Sequence, residues 1–343
     1  MNILISVLVP AYNEEKNIEN CIKSIFDGCN ESNVQVIVID DGSTDRTLSN
    51  AEALRRRYRN LLIETQENGG VGSARNHALS LAKGKWIMFA DADDGLPDGW
   101  FLNVEKYLHS DCKVIQGVLS TEGRQYVTSD VEKKIESAKV CNYLLNRKRY
   151  LVGDSFADNL VNSAHGVYGK LYARELIKDI QFAEQVPIGE DILFYLDVLQ
   201  KVEQVLFVDS IFYNIHLNPV SSTRRYNKRI LEGTSCFYEA LTKRYVWKAE
   251  ESELYSNSCF QVYWHFYCGV LTNLSRKNGL TIVEKLKILN HELTNKTLRI
   301  AVKYLYANKK KIRQLITKRE AIYIMLIRYR LISIYVIFRS ICR

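Results

Sequence analysis

Residues 3–9, ILISVLV, form an unbroken apolar run too short for a stable helix and closed by Pro10, the pattern of a strand buried on both faces. The period then changes. Ile18, Cys21, Ile22, Ile25 and Phe26 recur at i, i+3, i+4, i+7 and i+8, which predicts a helix with one buried face. A second apolar run over 34–40 predicts the next strand. Ser43 or Thr44 then stands where a helix cap is needed, with the helix running to about residue 58. A strand over 61–65, a helix over 73–82 and a strand over 86–90 complete β-α-β-α-β-α-β. This alternation predicts an α/β fold, a doubly wound, mostly parallel sheet with helices on both faces. Ligands of such sheets bind beyond the carboxyl ends of the strands.

Past residue 110 the pattern loosens. Short strands are expected over 114–118, 205–208 and 211–215, and a helix over 132–150. Residues 226–343 are rich in Leu, Tyr, Phe and Lys, with almost no turn signal before Lys277-Asn278-Gly279, and read as mainly helical. The expected organisation is therefore an α/β domain over 1–225 followed by a helical region over 226–343.

Composition narrows the class. With 343 residues, 47% of them hydrophobic, and only 4 Pro and 17 Gly, the chain can bury a core and is not dominated by disorder. Eight cysteines form no CxxC and six histidines no HExxH, so neither a zinc ribbon nor a zincin is written here; a reduced, cytoplasmic setting is expected. The first residues lack the basic start, apolar length and cleavage site of a signal peptide.

Charge adds an asymmetry. Between Arg299 and Arg343 there are twelve basic residues and one acidic residue, Glu320, so this stretch carries +11 of a net +8 and the rest of the chain −3. That balance argues against a nucleic-acid groove and for a local attachment to something anionic. Residues 321–341 interleave Ile, Leu, Tyr and Phe with Arg328, Arg330 and Arg339. Two arginines near the middle disfavour spanning a bilayer, whereas lying on its inner face as a peripheral element fits. The plainer reading is a helical appendage packed on the domain or on a second subunit of a homo-oligomer.

Four strand ends carry the candidate chemistry. The first loop, Pro10-Ala11-Tyr12-Asn13-Glu14-Glu15, offers a ring and carboxylates, or simply an acidic helix entry. The second strand ends in Asp40-Asp41-Gly42-Ser43, where one aspartate can cap and the other accept from a ligand. The third loop, Asn68-Gly69-Gly70-Val71-Gly72-Ser73-Ala74-Arg75, places an arginine in a helix's first turn, where an anion such as phosphate is its natural partner. The fourth strand ends in Asp91-Ala92-Asp93-Asp94, carboxylates whose mutual repulsion is relieved by a cation; hard oxygen donors suit Mg²⁺ or Mn²⁺ on a diphosphate. Further on, Glu190-Asp191 is either a helix cap or a reactive pair. The aromatic run Tyr263-Trp264-His265-Phe266-Tyr267 is core or an acceptor platform.

These motifs, in this order, resemble family 2 glycosyltransferases of the GT-A fold, over roughly residues 3–225. Gly169-Lys170-Leu171-Tyr172, Gly189-Glu190-Asp191 and the stretch 213–222 extend the resemblance; residues 226–343 match nothing in it. It implies that 1–225 is a GT-A catalytic domain in which Pro10, Tyr12, Glu14, Asp40 and Asp41 hold the base and ribose of a nucleotide-sugar donor, UDP-linked. Arg75 would approach the nucleotide, Asp91 and Asp93 would form an Asp-x-Asp pair with Mn²⁺ or Mg²⁺ on Asp93, and Asp191 would be the catalytic base. The implied reaction is inverting transfer of a hexosyl group to a glycan or lipid-linked acceptor, as in surface polysaccharide synthesis. Ile215-His216 departs from the family where many relatives place an Arg; His216, Arg224 and Arg225 are the candidate substitutes. Two other readings compete. A nucleotidyltransferase would carry a Gly-rich basic loop straight after the first strand, and 10–15 lacks one. A non-catalytic nucleotide-sugar-binding protein would not need Asp91, Asp93 and Asp191 intact.

Overall fold

The apolar runs pair as a sheet. The computed structural model describes residues 3–121, 131–145, 166–216, 226–248, 252–275, 279–308 and 318–341. They fall into two compact units. The first is drawn from Met1–Cys141, Tyr150–Glu184 and Glu190–Asn218, the second from Asn142–Arg149, Gln185–Gly189 and Pro219–Arg343.

In the first unit β1 (Ile5–Ala11) lies between β2 (Val34–Asp40) and β4 (Trp86–Phe89), parallel to both, and β3 (Leu61–Thr65) pairs parallel on the far side of β2. All seven residues of β1 and of β2 are buried, as expected of strands covered on two faces. Pro10 is inside β1 rather than after it. It lies past the last residue that pairs with β4, Leu8, so its missing N–H breaks no bond on that side. Ile5, Val7 and Val9 face a core shared with helix α1 (Ile18–Asp27), helix α2 (Thr47–Leu54) and helix α4 (Trp100–Glu105). All five residues of the expected stripe on α1 are buried. Helix α3 (Val71–Leu81) packs on β1 and β2 through Ala74 and Ala78, completing the doubly wound arrangement.

Ser43 and Thr44 do not cap α2, which begins four residues after Ser43. The Asp45 carboxylate accepts the Thr47 N–H instead, at 2.9 Å. The helix also stops at Leu54, short of residue 58.

The sheet extends to eight strands in the order β3-β2-β1-β4-β7-β5-β8-β6. It is mixed: β7 (Lys170–Ala173) runs antiparallel between β4 and β5 (Val114–Thr121), and β8 (Gln204–Ile215) is parallel to β5. The two short strands expected over 205–215 are one strand. The helix expected over 132–150 is corrected at its start: 132–136 form β6 (Glu132–Glu136), antiparallel to β8, and the helix runs Ser137–Leu145, with 146–150 outside the described residues. Only Ile135 of β6 is buried, so this edge strand has no apolar run to announce it.

The described residues of the second unit are mainly helical, with helices Lys228–Thr242, Glu253–His265, Ile282–Glu292, Lys296–Ala307, Lys318–Arg328 and Ile332–Ile341. Within it the His265 ring stacks on Phe237 at 3.7 Å and its Nε2 lies 2.7 Å from the Ile188 carbonyl. The Tyr263–Tyr267 stretch is therefore largely core: Tyr263, His265 and Phe266 are buried.

Candidate active site at the carboxyl ends of the strands

The β1 and β2 loops are tied together. The Asn13 N–H donates to Ser43 Oγ at 2.9 Å, the Thr44 N–H to Asn13 Oδ1 at 2.8 Å and the Glu14 N–H to Thr47 Oγ1 at 2.7 Å. Asn13 takes φ +55° to do this, a conformation Asn tolerates. The Tyr12 ring is nearly half exposed at the rim, where a planar base can stack. The half-buried Glu14 carboxylate accepts from Asn17 Nδ2 at 2.7 Å. Burial pushes its pKa up, against that hydrogen bond, and the charges of Asp93, Asp45 and Asp91 add to the rise.

Neither of the adjacent aspartates caps α2, and the two have different partners. Asp41 spends its carboxylate on the glycine loop, with Oδ1 accepting from Gln66 Nε2 (2.9 Å) and the Gly69 N–H (2.8 Å), and Oδ2 from the Gly70 N–H (2.8 Å). Asp40, also buried, accepts the Ser43 N–H on Oδ2, while its Oδ1 has no partner. A buried acceptor without a donor is costly, so Asp40 Oδ1 is a ready acceptor for a ligand N–H or O–H.

Arg75 meets carboxylates of the chain itself rather than an open phosphate site. Its side chain is buried; Nη2 donates to Asp91 Oδ1 at 2.9 Å and Nη1 to Glu190 Oε1 at 2.8 Å, with Nε unpartnered. Its guanidinium lies 5.3 Å from the Phe182 ring, which stacks on Phe194 at 4.1 Å. The glycine-loop helix is thereby clamped to the end of β4 and to the helix Glu190–Leu199. Burial pushes the Glu190 pKa up and the Asp191 charge adds to that, with Arg75 opposing both. Asp191, the second residue of this helix, accepts the N–H of the next residue, Ile192, at 2.8 Å on Oδ1.

At the β4 end the three aspartates differ. Asp91 faces Arg75, Asp93 is half-buried and Asp94 is buried. Asp94 accepts from Tyr213 Oη (2.9 Å) and from the His216 N–H (2.7 Å), while Tyr213 Oη also accepts the Asp91 N–H. Burial raises the Asp94 pKa to about 7, with Asp91 and Asp93 contributing. It is thus His216's backbone that serves the site here; Arg224, Arg225 and the rest of 217–225 lie outside the described residues. Tyr168 stacks on Tyr213 at 5.1 Å. Lys170 is fully buried, its Nζ donating to the Gly166 (3.0 Å) and Tyr168 (3.4 Å) carbonyls. Pattern reasoning missed Phe182, the Tyr168–Tyr213 stack and the pairing of Arg75 with Glu190. The charge signs of Arg75 and Glu190 were visible, but not their meeting across the sequence.

No group of three or more His, Cys, Asp or Glu side chains is arranged to hold a metal ion among the described residues. What the edge does offer is concentrated negative potential: burial first pushes up both Glu14 and the Cys21 thiol, and the charges of Asp91 and Asp93 add to the rise at each, with Asp94 adding at Cys21. Hard carboxylate oxygens in that number fit Mg²⁺ or Mn²⁺ only if a diphosphate and water complete the shell.

Residues 6–178 match the profile of glycosyl transferase family 2. The chain belongs to this family. Among similar proteins, the uncharacterized glycosyltransferase EpsJ of Bacillus subtilis (strain 168) is 29% identical over 231 residues, 64% of this chain and 63% of EpsJ. The poly(ribitol-phosphate) beta-N-acetylglucosaminyltransferase TarS of Staphylococcus aureus is 28% identical over 216 residues, 61% of this chain and 35% of TarS. The chain thus covers less than two thirds of the length of either relative. Among solved structures, S. aureus TarS 1-349 in complex with UDP-GlcNAc superposes with a TM-score of 0.63 at 20% identity, over 98% of this chain and 91% of that one. The mannosyltransferase PcManGT of Pyrobaculum calidifontis, in complex with GDP-Man and Mn²⁺, gives 0.52 at 14% identity, over 99% and 87%. These likenesses show that this family 2 member has the GT-A fold with a helical C-terminal region.

Proposed function

We propose that this family 2 chain is an inverting hexosyltransferase that moves a sugar from a UDP-sugar to a glycan or lipid-linked acceptor, in polysaccharide or glycoconjugate synthesis on the cytoplasmic side. The observation that carries the reading is the Asp91–Arg75–Glu190 clamp. It brings the β4 aspartates and the Glu190-Asp191 pair to one edge of the sheet, as single-displacement transfer requires. The UDP and UDP-GlcNAc complexes of TarS and the GDP-Man and Mn²⁺ complex of PcManGT support a nucleotide-sugar donor and a divalent ion.

In this reading Tyr12 stacks on the base beside Pro10, and Glu14 and Asp40 accept hydrogen bonds from the nucleoside. Asp41 fixes the glycine loop beneath it. Asp93, with Asp91, would hold Mn²⁺ or Mg²⁺, which when bound neutralises charge on the departing diphosphate. Arg75 orients Asp91 through the 2.9 Å contact to its Oδ1. Asp191, its Oδ1 anchored by the Ile192 N–H, takes the proton of the acceptor hydroxyl as that oxygen attacks the anomeric carbon from the face opposite the diphosphate. No covalent sugar–enzyme intermediate is needed, so Glu190 is left to pair with Arg75.

The test is nucleotide release from a panel of nucleotide sugars with Mn²⁺ present, in the wild type and two variants. Asp93→Asn is expected to abolish metal-dependent donor binding, because a neutral amide cannot balance the ion beside a diphosphate. Asp191→Asn should keep donor affinity while transfer falls about 100-fold or more, the scale of a lost general base. Undiminished metal-dependent binding in the first, or unchanged turnover in the second, would sink the assigned roles.

A further inference from the structure

The helix Lys318–Arg328 is apolar on two opposite sides. Glu320, Tyr323, Ile324 and Ile327 are its buried face, packed on Lys296–Ala307, with the Tyr323 ring 5.5 Å from Tyr267. At about 100° per residue, Ile322 and Met325 fall on the far side of the helix, roughly 160° from that face, while Tyr329, just past the helix end, donates to Tyr306 Oη at 3.1 Å. Ile322 and Met325 are 53% and 39% exposed. After Arg330, held at φ +59°, the chain reverses into Ile332–Ile341, where the division repeats: Ile332 and Val336 are buried, Leu331 and Ile334 exposed. Of eleven strongly exposed large apolar side chains among the described residues, five lie between Ile322 and Ile334. A helix that only covers a core needs one apolar stripe, so the second stripe calls for an occupant.

Charge selects that occupant. Arg319 and Arg328, both exposed, sit about 90° to either side of the outer stripe. Their guanidiniums lie 5.6 Å from the Tyr323 ring and 6.0 Å from the Tyr329 ring. Lys318 and Arg330 are exposed at the two ends, and no acidic residue follows Glu320. An apolar strip with cationic rims matches the boundary between acyl chains and phosphate headgroups, where arginine stems lie along apolar surface and their heads reach phosphate. A second copy of this chain fits poorly, since a symmetric contact would set the same arginines against each other. No described helix is long and apolar enough to cross a membrane, so the contact is in-plane.

We propose that Ile322, Met325, Leu331 and Ile334, rimmed by Arg319, Arg328 and Arg330, dock this protein on an anionic lipid bilayer surface. The proposal goes beyond the transferase reading and does not depend on it, although a lipid-linked acceptor would be met at the same surface.

The full chain is tested by flotation with phosphatidylcholine vesicles and with phosphatidylcholine–phosphatidylglycerol vesicles. Binding is expected to the mixed vesicles only, weakening with salt as charges are screened over about 10 Å at 0.1 M. Ile322→Gln combined with Ile334→Gln should lower partitioning by roughly 100-fold, about ten-fold for each isoleucine kept from the acyl boundary. Arg319→Gln combined with Arg328→Gln should lower it about 25-fold, near five-fold per charge, and flatten the salt dependence. All four side chains are exposed, so unchanged Tm values are expected. Absence of binding to mixed vesicles at low salt overturns the proposal, as does binding that neither pair of substitutions alters. A dimer in sedimentation velocity that the isoleucine substitutions split, with vesicles ignored, overturns it in favour of self-association. Nucleotide release measured alongside separates the two readings: turnover without vesicle binding defeats this one, and binding without turnover defeats the transferase.

Discussion

Replacing Lys170 by methionine isolates the consequence of burying an ammonium under the sheet. Burial pushes the Lys170 pKa down to about 7, with the Asp191 charge pulling the other way. In the unfolded chain the same group titrates near 10.4. Between about pH 7 and 10.4 the unfolded state therefore binds a proton that the folded state has released, and stability rises with pH across that window. Below pH 7 the cost of burying the charge is present in full. The slope is about 1.4 kcal/mol per pH unit, which gives about 2–3 kcal/mol between pH 7 and pH 9. This is an upper figure, because the Tyr195 ring, 4.9 Å from Nζ, favours the charged form. Lys170→Met keeps the length and apolar stem and loses the donors to Gly166 and Tyr168, a pH-independent loss of about 1–3 kcal/mol. Urea unfolding of both proteins from pH 6.5 to 9, taken as a difference, cancels the other titrating groups. Wild type should gain steadily on Lys170→Met as pH rises. Parallel profiles would mean that the ammonium stays charged throughout, and the desolvation argument would fail.

Two further outcomes follow from packing. Arg75→Met leaves Asp91 and Glu190 without their guanidinium and should cost about 3–5 kcal/mol near pH 8. The loss should be smaller at pH 5, because Glu190, already raised and now unopposed by Arg75, takes up a proton; denaturant melts at the two pH values check this, and an equal loss at both would refute it. Gly117→Ala would place a Cβ inside the Phe212 ring, beside the register shift of β5 against β8. Phe212 is fully buried, so overpacking should cost about 1–3 kcal/mol, read as a lowered Tm, with an unchanged Tm counting against the packing.

β1, β2, β4 and α1 were legible because each buries a continuous run or a regular stripe, and burial is what sequence periodicity encodes. β6 was not, since a solvent-washed edge strand such as Glu132–Glu136 places one side chain in the core and its charges read equally well as helix. The site divides the same way. Residues clustered at one strand end, such as Asp91, Asp93 and Asp94, could be found by adjacency. Asp41's commitment to Gly69 and Gly70 could not, nor could Arg75's to Glu190, 115 positions away, because such choices are made by tertiary geometry. Arg75 was read as an anion seeker correctly in sign. The anions it finds belong to its own chain.

The placement of β7 bears on how the chain is made. β7 lies between β4 and β5, yet a ribosome delivers β4 and β5 long before Lys170 emerges. The neighbour that β4 will keep does not yet exist when β5 appears, and direct pairing of β4 with β5 would have to be undone. Until β7 threads in, both edges expose unpaired backbone groups, a state open to strand exchange with other nascent chains and to capture by chaperones. Synthesis rate up to Ala173 thus sets how long the β4 edge stays open, and slow codons there would lengthen that interval.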